Sequence, residues 1–262
     1  MIPVMLQLYN VREDLKKDFD GTLEHLASMG YRYVELAMAQ SFGRTASQFR
    51  EALDRVGLSA ISAHVAFRDM TKDTDAVLSF YLAIGCQFIA IPFLTEDDRY
   101  SGAHYEEVKK EIAALGEEVN KRGAVLLYHN HVFEFESYNG KYVLDDLYDS
   151  IPASLLQTQI DICWAKVGGV DPAQYILKYK GRAPVVHLKD FDEGEVRKDA
   201  PFPFRCIGEG SQDIPSVIKA SVSAGAKWFV VEQDLPSPGK TALECARDSL
   251  NYLKSVGGEG SL

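Results

Sequence analysis

Residues 119–131 read VNKRGAVLLYHNH: the end of a helix-like stretch, a glycine, a short apolar run and a cluster of ionisable side chains. The same unit recurs along the chain. It returns as LASMGYRYVEL (26–36) with Glu35 at the strand end, LDRVGLSAISAH (53–64) with His64, and YLAIGCQFIAIPF (81–93) reaching Pro92. YKGRAPVVHLKD (179–190) carries His187, SVSAGAKWFVVEQD (221–234) carries Glu232, and LLQTQID (155–161) ends in Asp161. Where helix and strand alternate, the strands are parallel and their C-terminal ends emerge on one face. With the opening strand PVMLQLYN (3–10), eight strand candidates in 262 residues match an α/β fold of the (β/α)8 TIM-barrel kind, a single domain over 1–262. In such a barrel the strand C-termini build the active site. An open doubly wound sheet is the competing arrangement, but no strand is followed by a GxGxxG or GxxxxGKS/T turn, and the polar residues stand at nearly every strand end.

Apolar spacing places the elements between these strands. Leu15, Phe19, Leu23, Leu26 and Ala27 predict a helix over 15–29; further helices are expected after Thr45 up to Gly57, from Asp73 to Ile84, and over Tyr105–Lys121. Strands are expected at 4–8, 33–35, 60–64, 88–91 and 124–129 and before Asp161, His187 and Glu232. HVFEFESYNGKYVLD (131–145) reads as a small hairpin across the barrel mouth, turning at Asn139–Gly140.

Composition limits the function classes. A net charge of −10 without a basic stripe argues against nucleic acid as a partner. The N-terminus reads as the first strand rather than a leader, and no apolar run approaches the ~18 residues of a membrane span; the expectation is a cytoplasmic protein. Cys86, Cys163, Cys206 and Cys245 have no metal-ligand spacing and read as reduced, buried thiols.

The strand ends carry the chemistry. Divalent ions of the Mg/Mn/Zn group take carboxylate oxygen and imidazole nitrogen and, in a catalytic site, leave positions open for substrate. Asp161, His187 and Glu232 end three consecutive strands, and the strand before them is followed by His129, His131, Glu134 and Glu136. Each of these taken singly is as well explained as a solvated or salt-bridged rim residue. Their recurrence at equivalent places after buried apolar runs is what favours a shared site.

YHNHVFEF (128–135), QIDICW (159–164), PVVHLKD (184–190), IGEGSQD (207–213) and FVVEQD (229–234) together resemble the xylose isomerase-like TIM barrels. That sugar phosphate isomerase/epimerase superfamily also includes ketose 3-epimerases, inosose dehydratases and endonuclease IV. The resemblance implies one divalent metal, Mn²⁺ foremost with Mg²⁺, Zn²⁺ or Co²⁺ as alternatives, held by a Glu, an Asp, a His and a second Glu on successive late strands. Asp161, His187 and Glu232 match the last three. Where many members read L-E-N-H, this chain has Tyr128-His129-Asn130-His131; similarity to the YHNHxFEF subgroup places the first ligand on Glu134, with Glu136 and His129 as alternatives.

The chemistry implied is metal-assisted proton transfer next to a carbonyl of a sugar, sugar phosphate or cyclitol. Glu134 and Glu232 would be the acid/base pair of an isomerase or epimerase, whereas His129 or His131 would serve as base in an inosose dehydratase-like or keto-glycoside lyase elimination. Substrate contacts are expected from His64, Trp164, Lys189 and Glu35, with Gln7 and Tyr9 also at strand mouths; His25 and His104 read as surface residues. The turn Gly208-Glu209-Gly210 stands where many barrels bind phosphate. An endonuclease would need more metal ligands and a basic face, and a non-catalytic sugar-binding barrel would not need the Asp161, His187 and Glu232 set. Family resemblance also implies a possible homo-oligomer.

Overall fold

Alternate residues of a strand face opposite sides of the sheet, and this chain exploits that period in the same way around a closed ring. The computed structural model describes residues 2–38 and 41–256. Its barrel strands are β1 (Val4–Gln7), β2 (Tyr33–Leu36), β3 (Ser59–His64), β4 (Phe88–Ile91), β5 (Val125–His129), β6 (Gln157–Asp161), β7 (Val185–Leu188) and β8 (Trp228–Val231). Each pairs in parallel with its sequence neighbours, and β8 closes on β1. The expected (β/α)8 barrel is therefore the observed one.

Met5, Ile61, Phe88, Ala90, Leu127, Val185 and Val230 fill the barrel interior as one apolar layer. Two residues further along the same strand faces stand Gln7, His129, His187 and Glu232. The apolar layer is thus a floor, and the polar residues lie directly above it. Register aligns them: Asp161 is level with His187 across β6 and β7, and His129 with Gln159 across β5 and β6.

The helices follow the expected order with two local differences. The helix expected over 15–29 is divided into Arg12–Lys17 and Phe19–Met29, because Asp18 turns extended (φ −150°) and its carboxylate caps the second helix at Gly21 N. A short helix, Phe67–Lys72, precedes Thr74–Ile84 and is separated from it by Asp73 in the same way. Gly116 lets the helix Tyr105–Lys121 pack against the Leu155 backbone, where any Cβ would strike the carbonyl. The 137–142 hairpin forms with Asn139 (φ 51°) and Gly140 (φ 81°) at its tip, and Tyr138 packs on Tyr100 and Tyr105. No helix among the described residues is long and apolar enough to cross a membrane.

Candidate metal centre

Where β5, β6, β7 and β8 end, His129, Asp161, His187 and Glu232 turn into the barrel mouth, and each offers one ligand-type atom within 4.8 Å of the others. All four are buried. Asp161 divides its two oxygens between two tasks. Oδ1 caps the following helix, accepting from Cys163 N (2.8 Å) and Trp164 N (3.0 Å), while Oδ2 is buried without a hydrogen bond and meets the Lys189 ammonium only in an ion contact of 3.4 Å. His129 Nε2 lies 3.8 Å from Oδ2, and His129 Nδ1 also lacks a partner. Asn130 fixes this corner by clasping the Asp161 backbone, accepting from its N–H at 2.9 Å and donating to its carbonyl at 3.2 Å. Buried polar atoms without partners are rare in folded proteins. Two imidazoles and two carboxylates, with buried atoms that make no hydrogen bond among them, are a donor set that fits a divalent metal ion.

Beneath the cluster lies Glu35, fully buried. Its oxygens accept from Gln7 Nε2 (2.8 Å) and Gln159 Nε2 (2.6 Å). A carboxylate only accepts, so both carboxamides must turn their nitrogens toward it. Gln159 Oε1 therefore faces His64 Nε2 at 2.7 Å, and His64 must carry its proton there. His187 Nε2 also approaches Glu35, 2.7 Å from Oε1 but off the hydrogen-bond line, which makes this an ion contact. On its other side His187 Nδ1 meets Glu232 Oε2 at 2.9 Å. Glu35, expected as a substrate contact from its position, is thus fully buried against the two histidines.

Electrostatics divides the histidines. Burial alone would suppress the His187 charge, but the Glu35 and Glu232 carboxylates on either side push its pKa up to about 10. Burial and the neighbouring His187 hold His129 far below the ordinary range, and burial with Lys189 nearby takes His131 down to about 3. His64 is lowered chiefly by burial, with Glu35 opposing. Asp161 is raised to about 6 by burial, which the Lys189 ammonium only partly offsets; Glu232 is held well down, because Lys189 and His187 outweigh its burial. The site thus presents three neutral imidazoles, of His64, His129 and His131, and one charged one, of His187, which stands between the Glu35 and Glu232 carboxylates.

Over this floor opens a cavity of about 310 Å³, lined by Gln7, Tyr9, His64, His129, His131, Lys189, Glu232 and Asp234 with Phe93 and Met38. Trp164 does not line it. The indole stacks behind His131 (centroids 5.8 Å apart, planes 23° apart) and packs on Phe202 and Phe204. Gln159 and Asp234, not singled out from the sequence, belong to the site, and the period-two rule could have found them: each stands two residues from a candidate ligand on the same strand face. His25 and His104 lie exposed on the outside, and all four cysteines are buried free thiols. At Gly208-Glu209-Gly210 the loop N–H groups are taken from within: the Asp190 carboxylate accepts from Gly208 (2.9 Å), Gly210 (3.0 Å) and Gln212 (3.1 Å). These three N–H groups are therefore already taken by a protein carboxylate.

Glu134 departs most from expectation. The chain after β5 curls into a 3₁₀ turn, Phe133–Phe135, which carries the Glu134 carboxylate away from the cluster. Oε1 accepts from the Tyr128 hydroxyl (2.7 Å) and Oε2 from His131 N (2.8 Å), leaving His129 beside Asp161. Glu136 is exposed and bonded to the Tyr100 hydroxyl. Burial raises the Glu134 pKa to about 7 from 4.5, against the two hydrogen bonds. The folded chain therefore holds this proton more tightly than the unfolded one, and the stability it contributes is lost as pH rises from about 4.5 through 7. Unfolding of chelator-treated protein is expected to show Glu134→Gln gaining on the parent by up to about 3 kcal/mol between pH 4.5 and 8. A pH-independent difference would mean that Glu134 is ionised throughout.

The fold and this geometry meet known proteins at the level of family. No curated protein sequence matches the chain. Among solved structures, a sugar phosphate isomerase/epimerase from Parabacteroides distasonis superposes with a TM-score of 0.79 at 21% identity, over 97% of this chain and 94% of that one. The probable 3-DHS dehydratase AsbF from Bacillus anthracis gives 0.72 at 11% identity (97% and 99% covered), and a family 2 AP endonuclease from Brucella melitensis 0.72 at 15% (97% and 99%). At such identities the likeness is one of fold. The model of the xylose isomerase-like TIM barrel family matches residues 23–256, every barrel strand but the first, and the chain belongs to that family.

Proposed function

We propose that this protein is a divalent-metal-dependent isomerase or epimerase that moves a proton next to a carbonyl of a small sugar or cyclitol. The observation that carries the reading is the convergence of His129, Asp161, His187 and Glu232 at the floor of a cavity walled by neutral imidazoles. A divalent ion held by those four residues would polarise the carbonyl and acidify the adjacent C–H. His131 lines the cavity, uncharged, with Nδ1 unpartnered, and is the base in reach of that proton. With Nε2–H given to Gln159, His64 offers its Nδ1 as acceptor for a substrate hydroxyl. The Glu35 carboxylate, in ion contact with His187 Nε2, braces that imidazole, the kind of support that a ligating histidine requires. Trp164 backs His131 and excludes water behind it. The filling of the 208–212 loop by Asp190 favours an unphosphorylated substrate.

A second reading is elimination, with loss of a β-hydroxyl or β-glycosyl group from the same deprotonated intermediate. The position of Glu134 favours it, since the two-glutamate pair expected of an epimerase is not assembled in the cavity. Elemental analysis of the protein is expected to give about one ion per chain, and incubation with ketoses and inososes in D₂O to exchange one substrate C–H. Products of unchanged formula identify the isomerase or epimerase; released water or aglycone identifies the lyase. No metal under replete conditions would remove the enzyme reading.

A further inference from the structure

Proton transfer leaves Lys189 without a task. β7 and the residue pair after it put Val185, His187 and Lys189 on one face, and β8 does the same with Val230, Glu232 and Asp234. The Lys189 side chain is 1% exposed, and its Nζ lies 3.4 Å from Asp161 Oδ2, 3.0 Å from Glu232 Oε2 and 3.0 Å from Asp234 Oδ1. Two of these three atoms belong to the candidate ligand set. Asp161 Oδ1 is committed to its helix cap, so Oδ2 is the oxygen Asp161 can offer a metal, and it is the one the ammonium faces.

We propose that Lys189 is a built-in counter-ion that competes with the metal: its ammonium bridges Asp161 and Glu232 until a divalent ion loads, then yields both and keeps Asp234, the carboxylate outside the ligand set. The proposal rests on the ligand set of the preceding section. Three buried carboxylates, of Glu35, Asp161 and Glu232, crowd one site with the partly exposed Asp234 at its edge, and buried charge without a partner is strongly destabilising. The ammonium relieves that repulsion while no metal is bound. Once a divalent ion shares the same oxygens, the two cations repel each other through a medium that screens poorly. The ring faces of Trp164 and Phe204, 5.4 and 5.7 Å from Nζ, border the ammonium on a side suited to a displaced cation. Folding of the unloaded chain is thereby secured at the expense of metal affinity.

The test compares full-length wild type with Lys189→Met, measuring Mn²⁺ dissociation constants by the EPR signal of free Mn²⁺ and melting temperatures in chelator and in saturating Mn²⁺. The variant is expected to bind Mn²⁺ about ten-fold or more tightly than wild type. In chelator it should melt lower, and Mn²⁺ should raise its melting temperature by more than it raises that of wild type. A variant that folds only in the presence of Mn²⁺ supports the proposal as well. Lys189→Gln, which keeps a donor toward Glu232, carries the same comparison if the Met variant is not recovered under either condition. Binding by both proteins with an equal or weaker constant in the variant overturns the counter-ion role and leaves the ligand set standing. Absence of Mn²⁺ binding in both overturns the ligand set and, with it, this proposal.

Discussion

Replacing Asp161 with asparagine is expected to lower turnover by about 10³-fold or more, with metal occupancy lost and the barrel still folded. The two oxygens of this residue make the prediction sharp. Oδ1 caps the helix that follows β6, and the asparagine carbonyl can take over both of its hydrogen bonds. Oδ2 is the buried atom without a donor, beside His129 Nε2, and an amide nitrogen there can neither ligate a metal nor face the Lys189 ammonium favourably. Metal polarisation of a carbonyl contributes several kcal/mol to a transition state, and about 1.4 kcal/mol corresponds to one decade of rate. Elemental analysis, the D₂O exchange assay and a thermal melt on one preparation check all three parts. A variant that keeps its ion and exchanges within ten-fold of the parent would show that the proton transfer takes place elsewhere.

The barrel was legible because its signal is repeated. A helix, a glycine and an apolar strand recur often enough that one ambiguous unit cannot change the reading, and the Tyr105–Lys121 helix and the 88–91 strand lie where the spacing placed them. Helix breaks were not legible, because the apolar period runs unbroken through Asp18 while its carboxylate caps a new helix. Asp161, His187 and Glu232 come together as expected because each follows its strand by the same rule. The strand-5 position differs for a local reason. Glu134 and Glu136 would share a side if that segment were extended; the 3₁₀ turn instead sends Glu134 onto Tyr128, which faces the helix layer, and Glu136 out to solvent. Glu35 was read as a substrate contact because a strand end points to the mouth. That it lies under His187 and is held by Gln159 from the far side of the ring depends on the stagger of the closed barrel, which no local pattern encodes.

Glu35 itself supplies the other large effect. Glu35→Gln is nearly isosteric, yet it is expected to weaken Mn²⁺ binding and turnover by ten- to a hundred-fold, the range seen when the outer partner of a ligating histidine is removed. The loss follows from donor and acceptor counting. Glu35 accepts from two carboxamide nitrogens and faces His187 Nε2 and, at 3.2 Å, His64 Nε2. A glutamine brings an N–H₂ group into that company, so one existing donor must turn away. If Gln159 flips, its nitrogen meets His64 Nε2, which must then give up its proton and reverse its tautomer; if the flip is elsewhere, an amide N–H₂ faces His187 Nε2 in place of the carboxylate. Either way a histidine presents the wrong nitrogen to the site while the overall charge of the cavity wall changes by only one unit. Histidine NMR should therefore show an altered tautomer at His64 or His187 alongside the weaker Mn²⁺ constant. Weaker binding with both tautomers preserved would assign the effect to lost charge alone, and unchanged binding would mean that His187 needs no support from below, which the burial of four polar side chains around one carboxylate argues against.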